Sequence, residues 1–498
     1  MSKLELLRQK DENALAAGGK DKTDAQHKAG KKTARERIHA ILDGASFVEV
    51  DKFVKRTYAT PGFEAKSETG EGVVCGYGTI EDRPVFVFAQ DYTVLAGSLS
   101  QAHAAKIEKV IGMAAKCGNP VIGILDSDGA RIAEGVAAID SYAGILKKLS
   151  DVSGVIPTVS IVAGNCIGSA AYIAATTDFC FMVEGIAKTA LHGPQIYEST
   201  LGAKINIKTA FSAQLHNEET GVAQFLAKSE DDCYAQVKRL LGYLPSNNLE
   251  ECPYVPTEDD LNRAVAAGEG YEYDAKALIA ALCDGGGVME YQAYYSPEIV
   301  TAIGRMNGGT VGFVANSAEG KVTGHAARKA SRFISLMDAY NIPIVTLANC
   351  GGSSVEGERS MDIANYARLI ASYAQAGVPM VCVVTGKAVG DGYAMMCPKS
   401  LGADIVYAWP EAEITALPVE AGAVILYEDA IQSGALTKAQ AIEKYRDDYA
   451  NPWQAAEQGV VDDVIDPKYT RQMVIAALEM CLTKREEKLA KKHNVLPL

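Results

Sequence analysis

The chain lacks what would tie it to a membrane, a nucleic acid or a metal. No apolar run reaches the length needed to span a bilayer. The opening MSKLELLRQKDENALAAGGKDK has no apolar core of signal-peptide length, so a soluble, cytoplasmic chain is expected. Positive charge is in deficit, with 48 Lys and Arg against 62 Asp and Glu and a net charge of −14 at pH 7. That balance argues against nucleic acid or an anionic membrane surface as partner, because both demand a cationic footprint. The 11 cysteines include no C-x-x-C pair, so neither a zinc ribbon nor a disulfide framework is supported, and no metal site is expected. Most should be buried thiols acting as small hydrophobes. Also missing are H-E-x-x-H, G-x-x-x-x-G-K-[ST] and G-x-S-x-G, the signatures of metalloproteases, P-loop NTPases and α/β-hydrolases.

Present instead is a long internal repeat. Residues 155–169 read VIPTVSIVAGNCIGS and residues 377–391 read GVPMVCVVTGKAVGD, 222 positions apart. Each copy has a proline, a β-branched apolar run and two glycines four apart, the pattern of a buried strand entering a glycine turn. His103 and His325 are also 222 apart and are expected as counterparts in capping or packing roles. Both open helical segments, with Ile107, Val110, Ile111 and Ala114 matching Ala330, Phe333, Ile334 and Met337. Each helix leads into a proline-led strand and a second glycine turn, in NPVIGILDSDGAR (119–131) and IPIVTLANCGGSS (342–354). Upstream, the strand pair GVVCGYGTI and PVFVFAQD is echoed by IVTAIGRM and TVGFVANS.

A period above 200 residues signals a duplicated domain rather than a solenoid. A chain of 498 residues, 48% hydrophobic, can bury two cores. The expected fold is α/β, with a break near SNNLEECPYVPTEDD (246–260) and domains at 1–255 and 256–498. The charge runs HKAGKKTARER and TKREEKLAKKHN read as solvated helical ends.

A glycine after a buried strand lets the main chain approach a ligand, and the helix start that follows leaves amide N–H groups unpaired. Two such turns in matched folds read as two places where backbone amides meet an oxyanion. Cys166, with no base nearby in sequence, reads as a packed thiol, and His192 in LHGPQ reads equally as a ligand neighbour or a turn histidine.

With these features in view, the chain resembles the carboxyltransferase subunits of biotin-dependent acyl-CoA carboxylases and decarboxylases, the family of the propionyl-CoA carboxylase β subunit and methylmalonyl-CoA decarboxylase α subunit. The resemblance runs through ARERI (34–38), GSLSQAHAAKI (97–107), DSDGARIAEG (126–135), SGVIPTVSIVAGNCIGSAAY (153–172), GYLPSNN (242–248), DAYNIPIVT (338–346), GKAVGDGYAMM (386–396) and YAWPEAEI (407–414). It implies two tandem crotonase-like (ClpP/crotonase) domains, a homo-oligomer that is usually a hexamer, and an active site formed where the N-terminal domain of one subunit faces the C-terminal domain of another.

By the same carry-over, the amides of Gly168 and Ser169 hold the acyl-CoA thioester oxygen as it becomes an enolate, and those of Asp391 and Gly392 hold the biotin ureido oxygen. Gly129, Ala130, Gly390, Tyr393 and Ala394 are the further positions expected to contact the cofactor and substrate. The implied cofactor is biotin on a separate carrier protein, since no Met-Lys-Met attachment motif is present, and the substrate is a coenzyme A thioester. The second partner would be a biotin carboxylase subunit or a membrane decarboxylase subunit, the latter holding the chain at the inner face of the membrane.

The chain departs from the family pattern at four places. Its S-G-G-A-R is Ser127–Asp128–Gly129–Ala130–Arg131, its D-V-P-G-F is Asn349 to Ser353, Ala394 stands where relatives carry acyl-discriminating residues such as Asp, and Gly386 replaces the Arg before the lysine in a turn where Asp391 stands for a small residue. An acidic side chain there would repel an anionic ligand unless turned away. Two other readings follow: a crotonase-like hydratase or isomerase, and a non-catalytic CoA-binding scaffold.

Overall fold

The computed structural model describes residues 1–498 apart from 56–69, 203, 268–272, 318–319, 355–361, 487, 494 and 496–498. The chain divides into two compact units, Met1–Glu250 and Glu251–Leu498, with the break inside the proline-containing segment 246–260 and slightly before the expected boundary at 255/256.

The first unit opens with three helices, α1 (Lys3–Leu15), α2 (Lys20–Lys28) and α3 (Ala34–Ile41). Strand β1 (Val48–Val50) precedes the hairpin β2 (Val73–Ile80) and β3 (Arg83–Gln90). Then follow α4 (Gln101–Cys117), β4 (Val121–Ser127), α5 (Val136–Val152), β5 (Thr158–Ile167), α6 (Ala170–Thr176), β6 (Phe179–Val183) and β7 (Lys188–Ala190). Helices α7 (Pro194–Leu201), α8 (Ile207–Ala210) and α9 (Ala213–Glu218), strand β8 (Phe225–Ala227) and α10 (Glu230–Tyr243) complete it. Among the described residues the sheet runs β1-β2-β3-β4-β5-β6-β8, with β7 on β5. Only the β1/β2 and β2/β3 pairings are antiparallel. The near-continuous burial of β4 and β5, both rich in Val and Ile, fits that arrangement, since central parallel strands are covered on both faces.

The second unit repeats the plan with α11 (Ala275–Leu282), β9 (Val288–Tyr291), β10 (Ile299–Met306), β11 (Gly309–Asn316), β12 (Gly320–Val322), α12 (Gly324–Ala339), β13 (Ile344–Ser353), α13 (Asp362–Gln375), β14 (Met380–Val389) and α14 (Asp391–Met395). Strands β15 (Ile405–Ala408), β16 (Glu413–Thr415) and β17 (Asp463–Val464) finish a sheet ordered β17-β15-β14-β13-β11-β10-β9, with β12 on β13 and β16 on β14. Helices α15 (Val419–Leu426), α16 (Glu428–Gln432), α17 (Lys438–Tyr449), α18 (Pro452–Glu457) and α19 (Thr470–Cys481) follow the glycine turn.

Helices α4 and α12 bury the faces expected from their periodicity, since Ile107, Val110, Ile111 and Ala114 are fully buried, as are Ala330, Phe333, Ile334 and Met337. Their caps correct the histidine pairing. Ser100 and Thr323 cap the two helices, which puts His103 opposite Ala326 and His325 opposite Ala102. Accordingly His103 is fully buried, with Nδ1 3.0 Å from the Glu71 carbonyl, whereas His325 is exposed. The true counterparts in this register are two buried lysines. Lys106 Nζ donates to the carbonyls of Gly70 and Val73 at 3.0 and 2.6 Å, and Lys329 Nζ to those of Tyr295 and Ser296 at 2.8 and 3.3 Å.

The N-terminal charge run is not the solvated arm its composition suggested. Arg37 is fully buried and bridges Asp126 at 3.0 Å and Glu230 at 3.0 Å, while Lys31 and Gln26 also reach Asp126. A buried carboxylate is tolerated when cations and donors surround it, and here the amino-terminal helices supply them. Among the described residues no helix is long and apolar enough to cross a membrane.

Candidate active site

In each unit the two central strands lose register at the same point. Between Leu125↔Val162 and Ser127↔Cys166 the partner strand carries two extra residues, and between Ala348↔Val384 and Cys350↔Ala388 it does so again. There β5 and β14 exchange their outer neighbours, β6 and β15, for the short strands β7 and β16, and meet β4 and β13 again at Cys166 and Ala388. The departure strands one amide in each half, and a side chain takes it up. Asp126 Oδ1 accepts from Asn165 N at 3.1 Å, and Asn349 Oδ1 accepts from Lys387 N at 2.9 Å. Those side chains need space, and Gly164 and Gly386 provide it. A Cβ at Gly164 would lie 2.0 Å from Asp126 Oδ1, and one at Gly386 would lie 2.4 Å from Asn349 Oδ1. The departure of Gly386 from the family's Arg thus restores in the second half the contact that Gly164 makes in the first.

Beyond this point each strand ends in a glycine with positive φ, Gly168 at 71° and Gly390 at 55°. Both amides are already committed, Gly168 N–H to the Ala190 carbonyl at 2.8 Å and Gly390 N–H to that of Thr415 at 2.9 Å. This corrects the expectation that Gly168 is itself a donor. It supplies the reversal, and the next residue, Ser169 or Asp391, presents its amide. The expected pairs Gly168/Ser169 and Asp391/Gly392 were one residue out of step, since Ser169 matches Asp391 and Ala170 matches Gly392.

The neighbouring strand ends supply a second glycine in each half. Gly129 has φ 102° and Gly352 has φ 110°, so Ala130 and Ser353 are counterparts. Gly129 N–H donates to Ser127 Oγ at 3.1 Å. The bridge between Leu99 and Ala130 leaves the Ala130 amide outside the pairing, since Leu99 N–H donates to the Gly129 carbonyl and Arg131 N–H to that of Leu99, each at 2.9 Å. Neither the Ala130 nor the Ser169 amide has an acceptor among the described residues. Gly392 serves packing: a Cβ there would lie 2.8 Å from Gly352 N and 2.9 Å from the Cys350 carbonyl. Tyr393 is half-buried and Ala394 exposed.

The two acidic departures behave differently. Asp128 turns sideways, accepting from Tyr92 Oη at 3.0 Å and Asn165 Nδ2 at 2.6 Å. Burial, then the Asp128 charge, raises the Tyr92 hydroxyl above its ordinary range. Asp391 turns onto the backbone, with Oδ1 and Oδ2 at 3.1 and 3.2 Å from Ser353 N. No sequence pattern announced this contact, which joins residues 38 apart. Arg131 pairs with the buried Glu71 and the Ser98 carbonyl, a role within the fold.

The thiols and histidines offer no reactive group at these turns. Cys166 is fully buried, and desolvation pushes its thiol well up; Cys350 is likewise raised, to about 11, mainly by burial. Burial, reinforced by Arg131 and Lys106, drives His103 down to about 3 and keeps it neutral. His192 is exposed, 5.8 Å from the Tyr197 ring. Among the described residues no group of His, Cys, Asp or Glu could hold a metal ion.

Residues 25–496 match the model of the carboxyl transferase domain. The chain belongs to the carboxyl transferase family. It is 43% identical to the methylmalonyl-CoA decarboxylase subunit alpha of Veillonella parvula, over 100% of this chain and 99% of that one. It is 40% identical to the propionyl-CoA carboxylase beta chain of Saccharopolyspora erythraea, over 100% and 96%. Among solved structures it matches transcarboxylase 12S, described as a hexamer assembly at a multienzyme core with hydrolysed methylmalonyl-coenzyme A bound, with a TM-score of 0.95 and 36% identity over 99% and 98% of the two chains. The resemblance read from the motifs is therefore borne out, and so is the α/β architecture of two mostly parallel sheets in two domains.

Proposed function

We propose that the protein transfers a carboxyl group between biotin on a separate carrier protein and a short acyl-CoA, converting acetyl- or propionyl-CoA to malonyl- or methylmalonyl-CoA or running the reverse decarboxylation. The observation that carries this reading is the duplication of one donor arrangement. Ala130 and Ser169 in the first unit, and Ser353 and Asp391 in the second, each follow a positive-φ glycine at the ends of adjacent parallel strands. The decarboxylase and carboxylase relatives and the hydrolysed methylmalonyl-coenzyme A bound to transcarboxylase 12S support a malonyl-type thioester.

Carboxybiotin supplies the transferable carboxyl group and a ureido nitrogen able to take the α-proton of the thioester. The chain's own part is to bind, orient and stabilise charge. The Ala130 and Ser169 amides hold the thioester oxygen while the α-carbon gives up a proton or a carboxyl group and the electron pair moves onto that oxygen. The Ser353 and Asp391 amides receive the ureido oxygen. A preorganised donor of this type is worth about 3 kcal/mol in the transition state. The neutral, enclosed His103 and raised thiols leave proton transfer to the substrates themselves. By family analogy the partners are a biotin carrier and either a biotin carboxylase or a membrane decarboxylase subunit, and the assembly is a hexamer in which the two halves of a site come from different subunits.

The test is incubation of the purified protein with biocytin and malonyl-, methylmalonyl- or glutaconyl-CoA, following loss of the carboxyl group by mass spectrometry. Biotin-dependent turnover of one thioester is expected. Thioester binding without turnover of any of them would refute the proposal and favour the non-catalytic scaffold.

A further inference from the structure

We propose that the Asp391 carboxylate is the resting occupant of the second donor pair, so that a ureido oxygen reaches the Ser353 amide only by displacing it, and that Asp391 thereby sets how strongly this half takes its ligand. The inference rests on the assignment of the second turn to biotin. At the donor pair itself the two halves differ in the residue on the turn. In the first, Ser169 stands at the turn and the Ala130 amide has no acceptor among the described residues. In the second, Asp391 stands at the turn and both its oxygens lie 3.1–3.2 Å from the counterpart amide, Ser353 N. Gly352 gives the carboxylate its place, since a Cβ there would sit 3.0 Å from Asp391 Oδ1.

The contact holds the donor without sealing it. Asp391 is exposed, and no cation among the described residues pairs with it. One charge-assisted hydrogen bond on a solvated side chain is a barrier an incoming oxygen can meet, at about a tenfold loss of affinity. As negative charge builds on that oxygen, a carboxylate displaced but still close opposes it, so the effect on turnover exceeds the effect on binding.

The test uses the full-length protein with Asp391→Ser, which places the first half's residue in the second, and Asp391→Asn, which keeps the shape without the charge. Three readouts apply: hydrogen exchange of the Ser353 amide by mass spectrometry, biocytin affinity by calorimetry, and biotin-dependent decarboxylation. The expected result is faster Ser353 exchange in Asp391→Ser, about tenfold tighter biocytin binding in Asp391→Ser with a smaller gain in Asp391→Asn, a larger rise in kcat/KM for biocytin, and unchanged thioester binding. Unchanged exchange, or biocytin binding no tighter, overturns the inference. So does loss of turnover in both variants with biocytin affinity retained, because that gives the carboxylate an active role. If exchange and biocytin affinity respond as expected but no variant, nor the parent, turns over a thioester, the carboxyltransferase reading fails and the occupancy of the donor pair stands.

Discussion

Replacing Gly164 by Ala should destabilise the protein more than replacing Gly386 by Ala, although both glycines stand at the same place in their strands. At Gly164 the new methyl would lie 2.0, 2.2 and 2.6 Å from the Oδ1, Cγ and Oδ2 atoms of Asp126. That carboxylate is fully buried and held at 3.0 Å by each of Arg37, Lys31 and Gln26. Driving it away leaves the buried Arg37 guanidinium short of a partner, which costs about 3–5 kcal/mol. At Gly386 the methyl would meet Asn349, at 2.4 Å from Oδ1 and 2.7 Å from Cγ. Asn349 is neutral, and the loss is its hydrogen bond to the Lys387 amide, about 1–3 kcal/mol for a buried donor left unpaired. The difference of about 2 kcal/mol corresponds to roughly 4–8 °C for a unit of this size. Thermal unfolding followed by circular dichroism, with both single variants under one buffer and scan rate, reads it directly. Equal melting, or Gly386→Ala melting first, would refute the view that Asp126 is pinned by its ionic surroundings.

Gly168→Val adds a side chain where a Cβ meets nothing within 4 Å, so it should fold with about 1–2 kcal/mol of backbone strain and lose transfer about a hundredfold, measured as biocytin-dependent decarboxylation. Gly392→Val meets backbone at 2.8 and 2.9 Å instead, so it should lower the melting temperature as well as activity; an unaltered melting curve would contradict that packing. Cys166→Ser should stay active, and a thiol reagent on the native protein should modify the exposed Cys117 first, as peptide mapping can check. The folded pKa of His103 lies below its unfolded value, so the unfolded chain binds the extra proton and stability falls as pH drops from about 6.5 towards 3. Between pH 7 and 5 that amounts to about 2 kcal/mol. Denaturant titrations of His103→Gln should show a flatter pH profile across this range, and an unchanged slope would remove His103 as the cause.

Most of the fold was legible because the repeated strands, prolines and helical faces are local patterns. The hairpins at Val73–Gln90 and Ile299–Asn316 and the helices after them lie where periodicity put them. The histidine pairing failed because identical residues at equal spacing outweighed the caps, and the lysines that truly correspond carry no local signature. Arg37 was hidden for the same reason: its partners are 89 and 193 residues away, so a basic run that joins a buried cluster looks like one that faces water. In the candidate site, the glycine turns and the Ser169 and Asp391 amides were readable, whereas the commitment of the Gly168 and Gly390 amides was not, since it depends on Ala190 and Thr415, reached only through strand pairing. Gly386 was the one available clue to Asn349, as the repeat of Gly164 where relatives carry a larger residue.

The buried lysines mean that each half can serve as the other's control. From the equivalent helices α4 and α12 of the two units, Lys106 and Lys329 gather carbonyls. Whatever survived duplication in both copies belongs to the architecture, and whatever differs between them marks where the two copies diverged in task. On that measure the change from Ser169 to Asp391 counts for more than the many positions that match, because the molecule already carries the unaltered version of the experiment 222 residues upstream.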